Sequence, residues 1–359
     1  MVFDPVLKTL DAEGLQRFQA LQVDAVRAVT HRFYATHGSV YEQFGDNGRQ
    51  ACQDDLGFHL EFLRPVLEFG LLQPMVDYLL WLDGVLVARA VPSEHLALSL
   101  DWLGDFFAQA MQGAGGDVVV GALAAARNGL TQSEAITLAP ALPVTIWPES
   151  LEFEAALLRG DGHEAWAMIN RMMDVGFSLV ELEMQVIQPA LYRIGERWQN
   201  NQISVAQEHI ATALVQRVMA AGLVRSPPPV QLDKRVLLAC VEGNHHAVGL
   251  AMVSDAFVLA GWQVQYLGAN VPTSALVARV VSSLPDLVGL SVSFPQQLRM
   301  AKLVMVQLRE KLGNARPAIM LGGLAINRFS RLADVLGADA CSTNAQLAVA
   351  RADQMVLPN

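Results

Sequence analysis

The chain has 359 residues, 52% hydrophobic and 17% charged, and Lys+Arg 25 against Asp+Glu 35 gives a formal net charge of −10. That is apolar material for two or three domains of about 150 residues each, which excludes a disordered chain, and an acidic balance with no basic block argues against wrapping DNA or RNA. No basic segment leads into an apolar stretch at the start, no apolar run reaches the about 20 residues of a membrane span, and Cys52, Cys240 and Cys341 form no CxxC and no disulfide framework, which suits a reducing cytoplasm.

Residues 1–135 read as an all-α domain of about six helices. Leu15, Phe18, Leu21, Ala25 and Val29 recur at three- and four-residue steps. Gly45-Asp46-Asn47-Gly48 is a turn signal, and 49–69 is again helical, with Pro65 as an expected kink. Segments 73–90, 93–112 and 117–129 continue the pattern, punctuated by Pro74, Pro92 and Gly113, Gly115 and Gly116. Residues 136–150, with Pro140, Pro143 and Pro148, read as a linker. Residues 151–224 then give four helices (151–158, 162–175, 178–199 and 204–223), enough for a four-helix bundle. Ser178 with Glu181 and Ser204 with Gln207 fit capping boxes.

Residues 225–234 contain Ser226-Pro227-Pro228-Pro229 and read as a stiff linker. After it, over 235–359, strands are expected at 235–241, 263–267, 287–292, 318–321 and 338–342. Helices are expected at 247–260, 273–283, 296–313, 327–336 and 344–355. Five βα units predict a five-stranded parallel sheet, and such sheets bind ligands beyond the carboxyl ends of their strands.

The first βα turn, Glu242-Gly243-Asn244-His245-His246-Ala247-Val248-Gly249, lacks the GxGxxG of a dinucleotide site and carries two histidines instead. A neutral imidazole is a good transition-metal ligand. A carboxylate or amide two residues earlier can fix its tautomer, and a glycine lets a large planar ligand approach the backbone. On these residues alone, a histidine pair in a surface loop remains an alternative.

Asn244-x-His246-x-x-Gly249 resembles the Asp-x-His-x-x-Gly motif of cobalamin (vitamin B12) binding domains. Gly261-Trp262, Leu267-Gly268-Ala269-Asn270-Val271-Pro272, Gly289-Leu290-Ser291-Val292-Ser293 and Gly322-Gly323 follow in the family's order. The resemblance covers 235–355. It implies a Rossmann-like domain in which His246 ligates cobalt from below and the displaced benzimidazole tail enters a slot. Val271, Ser291, Ser293 and the side-chain-free Gly322-Gly323 would line that slot. Asn244 stands where the family has an acid, which makes His246 a slightly poorer donor to the metal. Ser293 stands in the place of the usual Leu.

Residues 151–224 resemble the helical cap that precedes such domains in corrinoid proteins and in light-dependent B12 repressors. Glu196-Arg197-Trp198, followed after nine residues by Glu208-His209, is similar to the repressors' cap. That resemblance implies Trp198 packed on the 5′-deoxyadenosyl group of adenosylcobalamin, with Glu208 and His209 completing the upper pocket. The repressors carry a His directly after the Trp; here it is Gln199. An all-α domain stands in place of their DNA-binding domain. There Cys52, Asp55 and His59 share one helix face, where Asp55 and His59 either hold the pyrrole nitrogens of a second chromophore or satisfy each other.

The architecture resembles the photocobilins, which bind biliverdin beside cobalamin. The resemblance implies a cytoplasmic, non-enzymatic photoreceptor that forms homo-oligomers in a light-dependent way. It would contact a regulatory protein but neither DNA nor membrane. A corrinoid methyl carrier and a light-independent B12 sensor are the alternatives.

Overall fold

The computed structural model describes residues 7–132, 147–328, 333 and 336–356. The chain divides into two compact units, Met1–Leu138 and Ala139–Asn359. No described helix is long and apolar enough to cross a membrane.

The first unit is all helical: α1 (Ala12–Tyr41), α2 (Gly45–Phe69), α3 (Gln73–Val87), α4 (Glu94–Ala110) and α5 (Ala114–Gln132). Among the described residues five helices stand where about six were expected, and the first apolar stripe runs on as one 30-residue helix that is irregular only at His37. Asp11 caps α1 by accepting the Gly14 N–H at 2.8 Å. The predicted turn at Gly45–Gly48 is the first turn of α2 instead. Gly45, at φ +58, breaks the short 3-10 turn Glu42–Phe44 that precedes it. Pro65 lies inside α2, which continues to Phe69.

The second unit begins with α6 (Pro148–Leu158) and α7 (Gly162–Asp174). Next come α8 (Leu179–Leu182), a π-helical turn (Glu183–Ile187), α9 (Gln188–Gln199) and α10 (Val205–Arg225). Both expected capping boxes form: Ser178 Oγ with Glu181, and Ser204 Oγ with Gln207. The predicted helix 178–199 is thus one run with a π-turn inside it. Phe153, Ile169, Leu182, Ile187, Ile194 and Val215 are buried together between these helices. The proposed linker 136–150 lies mostly outside the described residues, and α6 already starts at Pro148, where a proline suits the first helical position.

The sheet part runs β1 (Arg235–Cys240), α11 (Val248–Leu259), β2 (Gln263–Gly268), α12 (Thr273–Ser283), β3 (Leu287–Ser291) and α13 (Leu298–Leu312). It ends with β4 (Ala318–Gly322), α14 (Leu324–Arg328), β5 (Ala340–Cys341) and α15 (Ala345–Met355). Helix α14 ends at Arg328, within the first two residues of the expected helix 327–336, and most of that range lies outside the described residues. All five strands are parallel, in the order β2-β1-β3-β4-β5. β3 is buried along its whole length, as a strand covered on both faces must be.

The Pro-rich segment before β1 is docked rather than free. Leu232 N–H donates to Gly261 O at 2.7 Å, and a Cβ on Gly261 would come within 2.1 Å of Val230 O. The strand order reverses between β1 and β3, so the loops leaving these neighbours diverge and open a crevice at their carboxyl ends.

Candidate functional site

The loop after β1 is held from every side. Gly243, at φ +81, donates its N–H to Asn270 Oδ1 at 2.8 Å. Asn270 N–H donates to Asn244 O at 2.8 Å. The Glu242 carboxylate accepts the Thr273 N–H at 3.0 Å, which holds its pKa below the usual carboxylate range. Gln297, buried in the loop after β3, ties the crevice's two lips together. Its Nε2 donates to Gly243 O at 2.9 Å, and its Oε1 accepts the Ser293 and Phe294 N–H groups at 3.0 and 3.1 Å.

Asn244 is fully buried at the hub. Its Nδ2 donates to Ser291 O at 2.9 Å and its Oδ1 accepts the main-chain N–H of His246 at 3.1 Å. This corrects the expectation that the residue two before the histidine orients the ring. A short Asx side chain reaches the backbone N–H two residues on, forming an Asx turn, and that bond takes the oxygen. Asn244 thus fixes the backbone of His246 and leaves its imidazole to other contacts.

The His246 ring stands edge-to-face on Phe294, centroids 5.0 Å apart. Among the described residues neither ring nitrogen is hydrogen-bonded. Burial pushes its pKa down, opposed by the Glu208 carboxylate and reinforced by His245. The ring is therefore neutral near pH 7, with a lone pair to give. Among the described residues no cluster of three or more His, Cys, Asp or Glu gathers to hold a bare metal ion. A single imidazole suits a metal whose equatorial positions a macrocycle already fills. Gly249, in the first turn of α11, has nothing within 4 Å of where a Cβ would stand, so a planar ligand can lie against it.

Glu208, in the first turn of α10, is near enough to His246 for its charge to oppose the effect of burial. The Glu208 carboxylate is itself held: Thr212 Oγ1 donates to Oε1 at 2.8 Å, and His209 Nδ1 lies 2.5 Å from Oε2. The His209 side chain is otherwise exposed. Trp198, half-buried at the end of α9, packs against the cap's apolar cluster. Its neighbour Arg197 pairs with Glu154 of α6 at 2.7 Å, and Arg193 pairs with the same buried carboxylate at 2.5 Å. This ion triad sets the position of the α9 end.

The remaining slot residues sit at the strand ends. Ser291 is buried, with its carbonyl on Asn244 and its hydroxyl 3.5 Å from Asn244 Nδ2. Ser293 is half-buried, and Val271 N–H donates to Cys240 O at 3.1 Å. Gly323, at φ +94, has a structural reason for lacking a side chain, since a Cβ would lie 2.4 Å from Val292 O. At Gly322 the contact would be milder, 3.4 Å from Ser342 O. Sequence reasoning did not find Gln297, Phe294, Glu242 or Thr212. The only trace of Gln297 was its spacing of four from Ser293, which no motif marks.

The first unit holds a cavity of about 300 Å3, lined among others by Phe33, Cys52, Asp55, His59, Arg89 and His95. Burial and Asp54 push the Asp55 carboxyl up to about 6, against the pull of Arg89. His59 is buried, its pKa pushed down to about 3, and its Nδ1 lies 2.9 Å from Tyr78 Oη. The two residues share a face of α2 as expected, but among the described residues no hydrogen bond joins them. The idea that they satisfy each other fails because Tyr78 takes the imidazole.

Residues 234–352 match the family described as B12 binding domain, and residues 152–221 match a second family of that description. The chain is 29% identical over 225 residues to the HTH-type transcriptional repressor CarA of Myxococcus xanthus, covering 61% of this chain and 75% of CarA. It is 28% identical over 203 residues to dimethylamine corrinoid protein 2 of Methanosarcina mazei, covering 53% of this chain and 94% of that protein. The fold is similar to that of the monomethylamine corrinoid protein of Methanosarcina barkeri, with TM-score 0.50, 17% identity, and coverage of 57% of this chain and 97% of that one. Residues 152–221 and 234–352 are thus B12-binding domains, joined to a helical N-terminal region and homologous to both a regulator and a corrinoid carrier.

Proposed function

We propose that the protein is a cytoplasmic photoreceptor that binds adenosylcobalamin in the base-off, His-on form, with His246 as the lower cobalt ligand. One observation carries the reading: His246 stands on a loop braced by the buried Asn244, its ring edge-to-face on Phe294 and its nitrogens without a hydrogen-bond partner among the described residues. Bound adenosylcobalamin supplies a cobalt–carbon bond that visible light breaks. The chain's own residues do the rest. His246 would hold the metal, and Gly249 would admit the ring. Val271, Ser291, Ser293 and Gly322 would flank the nucleotide tail. Trp198 would pack on the adenosyl group, and Glu208, steadied by Thr212 and His209, would accept its ribose hydroxyls. Trp198 would couple the state of the upper face to the packing of the cap, and a repacked cap would change the oligomeric or partner contacts built on it. The N-terminal cavity is the proposed biliverdin site, where Asp55 would accept from the pyrrole N–H groups and His59, held by Tyr78, would line the same cavity.

The test is to load the full chain with adenosylcobalamin in the dark and record absorbance and size-exclusion profiles before and after green light. Conversion of the spectrum with a shift in elution supports the reading; an elution profile unchanged by light contradicts it. Biliverdin binding predicts a red-absorbing band that survives desalting after haem-oxygenase co-expression. The alternative, a corrinoid methyl carrier, draws on the similarity over 94% of a dimethylamine corrinoid protein. It predicts methyl turnover with a partner methyltransferase and no change of elution on illumination.

A further inference from the structure

Helix α11 carries the His246 loop at its N-terminus and serves two cores at once. Leu250 and Phe257 are buried in the sheet's cluster. Val248, Ala251 and Met252 pack into the cap's cluster. Continuing that second stripe by one helical step gives Asp255, a nearly buried carboxyl at a position whose neighbours are apolar. Facing it from the cap is Glu183, fully buried in the π-turn Glu183–Ile187. Neither Glu183 oxygen receives an N–H or O–H from any described residue. What stands before them is the Asp255 carboxyl, and two carboxyls can bond only if one keeps its proton. Burial raises the pKa of both carboxyls, and each acts on the other, so the pair retains a proton that isolated carboxyls would release. The other titratable group whose pKa Asp255 affects is Tyr266 of β2, pushed up to about 12 by burial, Cys240 and Asp255. Among the described residues, no Lys, Arg or His shifts either carboxyl. A π-turn inside an α-helix costs regular hydrogen bonding and often marks a functional position.

We propose that Glu183 and Asp255 share one proton and form a latch that seats the cap on α11, so that the cap–sheet contact loosens when that proton is lost. This goes beyond cobalamin binding and holds for the chain with or without cofactor. The folded chain keeps a proton that the unfolded chain releases above the ordinary carboxylate range, so the folded-to-unfolded ratio falls by about tenfold per pH unit from there up to the pair's ionisation.

The test uses the full chain and two readouts. Infrared difference spectra between wild type and Asp255→Asn at neutral pH report the C=O stretch of a protonated, hydrogen-bonded carboxyl. Amide hydrogen exchange, normalised to the unfolded chain at each pH, reports protection of segments 179–187 and 248–259 relative to β3. The expected result is a wild-type acid band altered in the variant, and cap–α11 protection that declines with rising pH in wild type. In Glu183→Gln, which keeps a donor amide and cannot ionise, protection is flat. Absence of the band, or a Glu183→Gln profile that follows wild type, overturns the latch. Should Glu183→Gln not fold, the band and the Asp255→Asn exchange profile decide in the same way.

Discussion

Restoring the B12 family's acid at position 244 should weaken this protein. In Asn244→Asp the Nδ2 donor to Ser291 O, 2.9 Å away in a fully buried setting, becomes an oxygen facing an oxygen. The bond from His246 N–H to Oδ1 survives, and Ser291 O keeps the Val241 N–H at 3.2 Å. The loss is therefore one buried hydrogen bond plus the cost of a buried carboxylate set against a carbonyl. One unsatisfied buried group costs about 1–3 kcal/mol, so about 3 kcal/mol is expected, or a fall in Tm of roughly 6–12 °C for a unit of this size. The new carboxyl can relieve the clash by staying protonated and donating to Ser291 O, so its folded pKa is raised. The sign follows: the destabilisation is small below the ordinary Asp range and grows as pH rises above it. Thermal melts of wild type and variant near pH 5 and pH 8 measure both effects. A variant as stable as wild type at pH 8, or a deficit relative to wild type larger at pH 5 than at pH 8, refutes the assigned role of Asn244.

Gly323→Ala should destabilise the sheet unit by about 2 kcal/mol or more in urea titration, because its φ of +94 disfavours a side chain and its Cβ would lie 2.4 Å from Val292 O; a neutral effect would contradict the close approach. Tyr78→Phe should cost about 1–3 kcal/mol in the first unit by leaving the buried His59 Nδ1 without its partner, and His59→Leu in that background should lose less than in wild type. Trp198→Ala should loosen adenosylcobalamin relative to hydroxocobalamin in binding titrations, whereas equal losses for the two forms would remove Trp198 from the upper pocket.

Much of this architecture was legible because each element follows from local pattern. The parallel sheet announced itself through continuous apolar runs such as Leu287–Ser291, since a strand covered on both faces has no polar side to show. The capping residues Ser178 and Ser204 marked helix starts to the residue, because the motif satisfies two backbone donors locally. What stayed hidden depends on distant parts of the chain. Gln297 is unremarkable until 54 residues of separation close to a 2.9 Å bond with Gly243. The π-turn at Glu183 has no sequence mark, and its carboxyl means little until α11 brings Asp255 opposite. The role given to Asn244 erred for a local reason, since its i+2 backbone bond competes with the ring and wins. Asp55 and His59 were rightly placed on one face, yet only tertiary packing chose Tyr78 as the imidazole's partner.

The most direct test of the central claim is electron paramagnetic resonance of the Co(II) state in protein whose histidines carry 15N and whose cofactor carries 14N. Splitting from a 15N nucleus in wild type, lost in His246→Ala, is the predicted result. A 14N pattern from the cofactor's own benzimidazole, unchanged by that substitution, would contradict it.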